Sequence, residues 1–150
     1  MTTSDASDVW VVDFDEVETR FDTCERAAKH VATLEHHERG RIVVTIDHGP
    51  TTFWYRIFGI KRRVGCAFMI EWHTGYASLA FSDENWSEYW AVDNEHPVHP
   101  SEEVRRAISH GEPTPQPKEQ CIEKERAFAA IREYFASESR PAWLQYEYVK

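Results

Sequence analysis

Trp10, Val12 and Phe14 alternate with Val9, Val11 and Asp13, and this period of two predicts a first strand with its aromatic weight on one face. The period then changes. Across residues 18–38, Phe21, Cys24, Ala28, Val31 and Leu34 recur at steps of three and four, with acids in the first turn and Gly40 just past the end, which predicts one long N-terminal helix. Residues 41–47, rich in branched side chains, read as a strand closed by the turn residues His48, Gly49 and Pro50. Strands are expected next over residues 52–58, 64–72, 76–82 and 86–92, with His73, Thr74 and Gly75 forming the turn before Tyr76. Connections this short between consecutive strands imply antiparallel pairing and argue against a doubly wound parallel sheet.

Residues 93–100 contain Pro97 and Pro100 and break the pattern. Ser101 is placed to cap a helix over 102–110 that Gly111 stops, and Pro113, Pro115 and Pro117 then make a stiff connector. A helix over 124–137 carries the stripe Ala127, Phe128, Ile131, Tyr134 and Phe135; Arg140-Pro141 ends it, and residues 142–148 return as a short strand. The expected fold is a single α+β domain over 1–150. Its antiparallel sheet, a meander of about five to seven strands, is packed by one long N-terminal helix and one C-terminal helix.

Composition narrows the function classes. At 150 residues, 41% apolar and 13% aromatic, the chain can bury a core without staples. The first eight residues carry neither a basic segment nor an apolar one, and no apolar run approaches the roughly 20 residues of a membrane span, so the cytoplasm is the expected location and no membrane partner is expected. The net charge of −9 is uneven: residues 1–38 hold ten acids and three bases, residues 39–82 two acids and six bases, and residues 83–100 five acids and no base. Such a field repels nucleic acid and steers toward basic partners. Arg56 with Lys61, Arg62 and Arg63 is the only basic cluster, too weak against that net charge to predict a nucleic-acid partner.

Catalytic chemistry finds little footing. Cys24, Cys66 and Cys121 are odd in number and far apart, so they define neither a disulfide framework nor a metal or redox pair. His36 and His37 are adjacent, about 100° apart on a helix, and His96 with His99 needs a carboxylate such as Asp93 or Glu95 to complete a metal site. There is no nucleophile elbow and no phosphate-cradling glycine loop, and acid pairs such as Glu102-Glu103 have no specificity in an acidic chain. The expectation is a protein without catalytic residues, metal or other cofactor.

One segment stands apart. Over residues 82–95 large rings alternate with acids, and in a strand Trp86, Glu88 and Trp90 share a face. A core face rarely holds an unpaired carboxylate between two indoles, whereas Trp and Tyr dominate binding hot spots. Asp83, Glu84, Trp86, Glu88, Tyr89, Trp90, Asp93 and Glu95 are therefore the candidate partner-binding residues.

The stretch Lys118 to Tyr146 resembles the ending of the first-numbered family of polymorphic-toxin immunity proteins, and is similar to that of the immunity protein of a double-stranded-DNA cytosine deaminase toxin. The features that carry the resemblance are the aromatic pair Tyr134-Phe135 ending an amphipathic helix, the polar turn 136–139, Arg140-Pro141, and the brief aromatic strand 144–146. Where family members often carry Trp in that last strand, this chain has Tyr146, with Trp143 earlier. The resemblance implies a bacterial protein that binds and neutralises a cognate toxin domain, by occluding its active site or deforming it. If that domain is a nucleic-acid deaminase or nuclease, its substrate channel is basic and the acidic aromatic segment complements it. A non-enzymatic adaptor or regulatory module with an unrelated protein partner is the alternative, and the sequence carries no mark of oligomeric state.

Overall fold

The computed structural model of the chain describes residues 8–50, 57–58 and 62–149. Among these, eight strands form one antiparallel sheet: β1 (Val9–Phe14), β2 (Val17–Phe21), β3 (Arg39–Pro50), β4 (Arg62–His73), β5 (Tyr76–Ser82), β6 (Glu88–Val92), β7 (Ile122–Glu123) and β8 (Gln145–Val149). The order is β2-β1-β3-β4-β5-β6-β8, with β7 pairing the start of β5. The helices are α1 (Cys24–Leu34), α2 (Glu102–Ala107) and α3 (Lys124–Ser137). None is long and apolar enough to cross a membrane.

The N-terminal helix is shorter than its apolar spacing implied, and the reason is local. Residues 18–21 belong to β2, paired back onto β1 through the turn at Asp15 and Glu16, both at positive φ. A two-residue hairpin turn of this hand ordinarily takes Asn-Gly. Here two acids hold it because the Asp15 carboxylate accepts the Arg41 amide at 3.0 Å and the Asp13 carboxylate accepts the Glu16 amide at 2.9 Å. The helix starts only after Thr23, whose hydroxyl caps the Arg26 amide, and it stops at Leu34. Phe21, which had been counted into the helical stripe, reaches His30 from β2 instead, ring to ring at 5.1 Å. The strand expected over 52–58 lies outside the described residues except for Ile57 and Phe58, which have helical and turn backbone.

Helices α1 and α3 cover one face of the sheet. Between them and the strands lie Trp10, Val12, Ile42, Val44, Phe68, Ile70, Trp72, Leu79 and Phe81, with Val31, Phe128, Ile131 and Phe135 from the helices. Phe68 meets Phe135, Tyr134 and Phe81 edge-on, and Trp72 meets Phe128 at 5.1 Å while its indole N–H donates to the His37 carbonyl at 2.7 Å. Gly40 is required here: a Cβ would stand 2.7 Å from Phe14 and 2.8 Å from the buried Trp72, and both rings would have to shift.

The second face is crossed by a strap formed by α2 and residues 108–121. Ser101 caps α2 as expected. The Ser78 hydroxyl donates to the Ile108 carbonyl at 2.5 Å, the His110 amide donates to the Glu71 carboxylate at 2.7 Å, and Gln120 bonds Gln116 and Glu147. Because the Ser78 hydrogen is already committed, His110 must carry its proton on Nε2 and donate to Ser78 Oγ at 2.7 Å. Nδ1 is then a buried lone pair without a partner. Protonating it would place a second cation beside Arg41, and burial first, then that charge, push the imidazole pKa down to about 4.

A histidine whose folded pKa lies below its unfolded value of about 6.5 costs stability as the pH falls, because only the unfolded chain takes up the proton. The expected result is a loss of up to about 3 kcal/mol between pH 6.5 and 4. Urea midpoints measured across that window test it. His110→Gln, which keeps a donor toward Ser78 and cannot titrate, flattens the slope.

Candidate functional site

The acidic aromatic segment is divided by the fold. Residues 83–87 form the loop between β5 and β6, β6 carries Glu88 to Val92, and Asp93 to Glu95 emerge at the opposite end of the sheet, roughly 17 Å away at the rise of an extended strand. Glu88 and Trp90 share the second face, as the alternation required, but Trp90 is buried under the strap. Its indole N–H donates to the Glu88 carboxylate at 3.1 Å and its ring meets His110 edge-on at 5.1 Å. The carboxylate that looked unpaired between two indoles is thus the partner of one of them.

Asp93 is buried as well. Its carboxylate is held by two bonds from the Arg126 guanidinium on α3, one of them 3.2 Å, and Arg126 in turn lies over the Trp143 ring at 4.7 Å. It fastens the end of β6 to α3 and is not available to His96 and His99, which are exposed together with Glu95. Among the described residues no three His, Cys, Asp or Glu side chains converge as a metal site would need. The three thiols are held protonated at neutral pH: burial raises each pKa, that of Cys121 to about 11, the reverse of an activated nucleophile.

Apart from Asn94 and Glu95, what remains exposed of the segment is the β5–β6 loop. Trp86 has φ 62°, a left-handed backbone that bulky residues rarely adopt and that costs on the order of 1–3 kcal/mol. Asp83 holds it there. The Asp83 carboxylate accepts the Asn85 amide at 2.9 Å, the Ser87 amide at 3.0 Å and the Tyr89 hydroxyl at 3.2 Å, while the Trp86 amide donates to the Asp83 carbonyl at 3.0 Å. Desolvation alone would raise the Asp83 pKa; the bonds from Ser87, Asn85 and Tyr89, with the nearby Arg140 charge, outweigh it and hold the carboxyl below its ordinary range. The outcome is an indole 55% exposed on a fixed loop beside Glu84.

Around it the strand pairing assembles residues that sequence spacing does not connect. Tyr148 lies opposite Tyr89, its hydroxyl 3.2 Å from Ser87 Oγ, and Val149 lies opposite Glu88. Arg140 stacks on Tyr89 at 3.6 Å and on Tyr146 at 5.2 Å, and the Tyr146 hydroxyl donates to the Pro141 carbonyl at 2.7 Å. The Arg140-Pro141 turn therefore ties the end of α3 to this end of the sheet. Val64 begins β4 here, and Ile57 and Phe58 belong to the β3–β4 connection that opens at the same end.

Six of the seven large apolar side chains exposed among the described residues (Ile57, Phe58, Val64, Trp86, Tyr148 and Val149) lie on strands and connections that meet at one end of the sheet, and Tyr148 and Val149 stand beside the Trp86 loop; Val17 is the exception. Scattered exposed apolar residues carry no meaning, but a gathered set marks an interaction surface. Four acids of the first block lie elsewhere: Asp13, Asp15, Glu16 and Glu18, with Glu71 and Arg41, line a groove of about 430 Å³ at the far end. No protein-family model matches the chain, and no curated protein matches it.

Proposed function

We propose that this chain is an immunity protein, which binds a toxin domain made by the same cell and neutralises it by occluding its active site. The observation that carries the reading is the exposed Trp86, preset on its loop by Asp83, with Glu84 next to it and the exposed Tyr148 and Val149 of the paired strand beside it. A rigid aromatic anchor loses little entropy on docking, and the apolar neighbours exclude water from the contact. At the loop, Glu84 and Glu88 favour a basic partner surface, such as the substrate channel of a nucleic-acid deaminase or nuclease, while Arg62 and Arg63 open β4 at the same end of the sheet and Arg140 offsets Asp83. The resemblance of residues 118–146 to immunity-protein endings supports the same reading, and its Arg140-Pro141 turn buttresses Tyr89 and Tyr146 within the proposed surface.

Co-expression tests it. When the C-terminal domain encoded by the neighbouring large gene is induced, cells carrying this chain survive and cells without it die. Equal killing in both arms contradicts the proposal.

A further inference from the structure

Strand β8 closes one side of the sheet and has no strand partner on its outer edge among the described residues. Four of its five residues, Gln145, Glu147, Tyr148 and Val149, are exposed. Edges of this kind are ordinarily blunted by shortness, charged side chains, Pro, a bulge or a covering segment; β8 is five residues long and carries one charge, Glu147. Residues 145–149 contain neither Lys nor Pro, and their register with β6 runs unbroken from Val92–Gln145 to Glu88–Val149. The edge is also continuous with the exposed end described above, through Tyr148, Val149 and Ser87.

We infer that β8 is a docking edge on which an extended segment of the protein partner, alternating basic and apolar residues, adds as the next strand of the sheet. Main-chain hydrogen bonds to the free edge supply the binding, and the side chains on the two faces supply the choice of partner. On one face Tyr146 and Tyr148 present rings beside Tyr89. On the other, Glu147 stands level with Trp90 and one register step from Glu88. A neighbouring strand therefore meets rings on one side and, on the other, the Glu147 carboxylate, which also accepts from Gln120, between Gln145 and Val149, so apolar residues belong on the first and a Lys or Arg opposite Glu147 on the second. A second copy of this chain is disfavoured as the occupant: antiparallel self-pairing centred on β8 sets Glu147 opposite Glu147, and like charges directly opposed destabilise a strand pair. This inference rests on the reading of that end of the sheet as a partner surface, but it stands or falls on its own test.

The probe is the capped peptide Val-Lys-Val-Lys-Val-Lys-Val added to the full chain, followed by residue-resolved amide hydrogen exchange. The expected result is exchange slowed about tenfold or more in β8, with changes reaching residues 83–87. The protection is lost when alternate peptide amides are methylated, which removes strand pairing and keeps the charge, and lost again when Lys is replaced by Glu. Protection that appears around Asp13 and Glu18 instead, binding that survives methylation, or β8 protection by self-association without peptide each overturns the inference. Failure of the co-expression assay with β8 still protected would remove the immunity reading and leave the docking edge; the converse would remove the edge alone.

Discussion

Replacing Arg126 by alanine lowers the stability of the protein by about 3–5 kcal/mol, the cost of leaving one partner of a buried ion pair uncompensated. The Asp93 side chain is 1% exposed and Arg126 is the cation bonded to it, so truncation strands a carboxylate that water cannot reach. The same change removes the guanidinium from the face of Trp143. For a domain of this length the midpoint of thermal unfolding falls by on the order of 10 °C, read by circular dichroism. Adding Asp93→Asn to Arg126→Ala recovers part of the loss, because an unpaired amide costs less to bury than an unpaired charge. An unchanged midpoint in Arg126→Ala would mean that Asp93 is solvated, and that the end of β6 is not fastened to α3.

Trp90→Ala has an effect of the same size for a different reason. Trp90 is 9% exposed, packed between β6 and the strap, and its removal leaves a cavity beside His110 together with a Glu88 carboxylate that has lost its indole donor. Large-to-small changes of an aromatic core residue cost about 3–5 kcal/mol. Denaturant unfolding measures it, and a neutral Trp90→Ala would show that the strap does not cover the second face.

Arg126 and Trp90 mark where the sequence was and was not readable. Strands β3 to β6 were legible because runs such as Ile42 to Ile46 are branched and bounded by turn residues, and α3 was legible over its whole length because its apolar stripe is unbroken between Lys124 and Ser137. The hairpin at Asp15 and Glu16 was not: its turn is held by carboxylates reaching Arg41 and the Glu16 amide, and no Asn-Gly signal announces it, so the β2 residues were absorbed into the helix. In the candidate site, Trp86 and Glu84 stand out in the sequence because large rings alternate with acids over residues 82–95, and both lie exposed in the β5–β6 loop. Trp90 and Asp93 were grouped with them because the residues that bury them, His110 and Arg126, lie 20 and 33 positions downstream and leave no local trace. Tyr148, Val149 and Arg140 were missed for the mirror-image reason: only the pairing of β8 with β6 brings them beside the loop.

The affinity of Trp86→Ala for the proposed toxin partner decides whether the β5–β6 end of the sheet is a binding surface anchored by Trp86. With its side chain in solvent, Trp86 contributes little to folding, and surface changes of this kind stay within about 0.5 kcal/mol. As a binding anchor its loss costs about 2 kcal/mol or more, a dissociation constant at least about 30-fold weaker. Trp86→Ala is expected to show that weakening while melting with the wild type; an unchanged affinity would rule out Trp86 as the anchor.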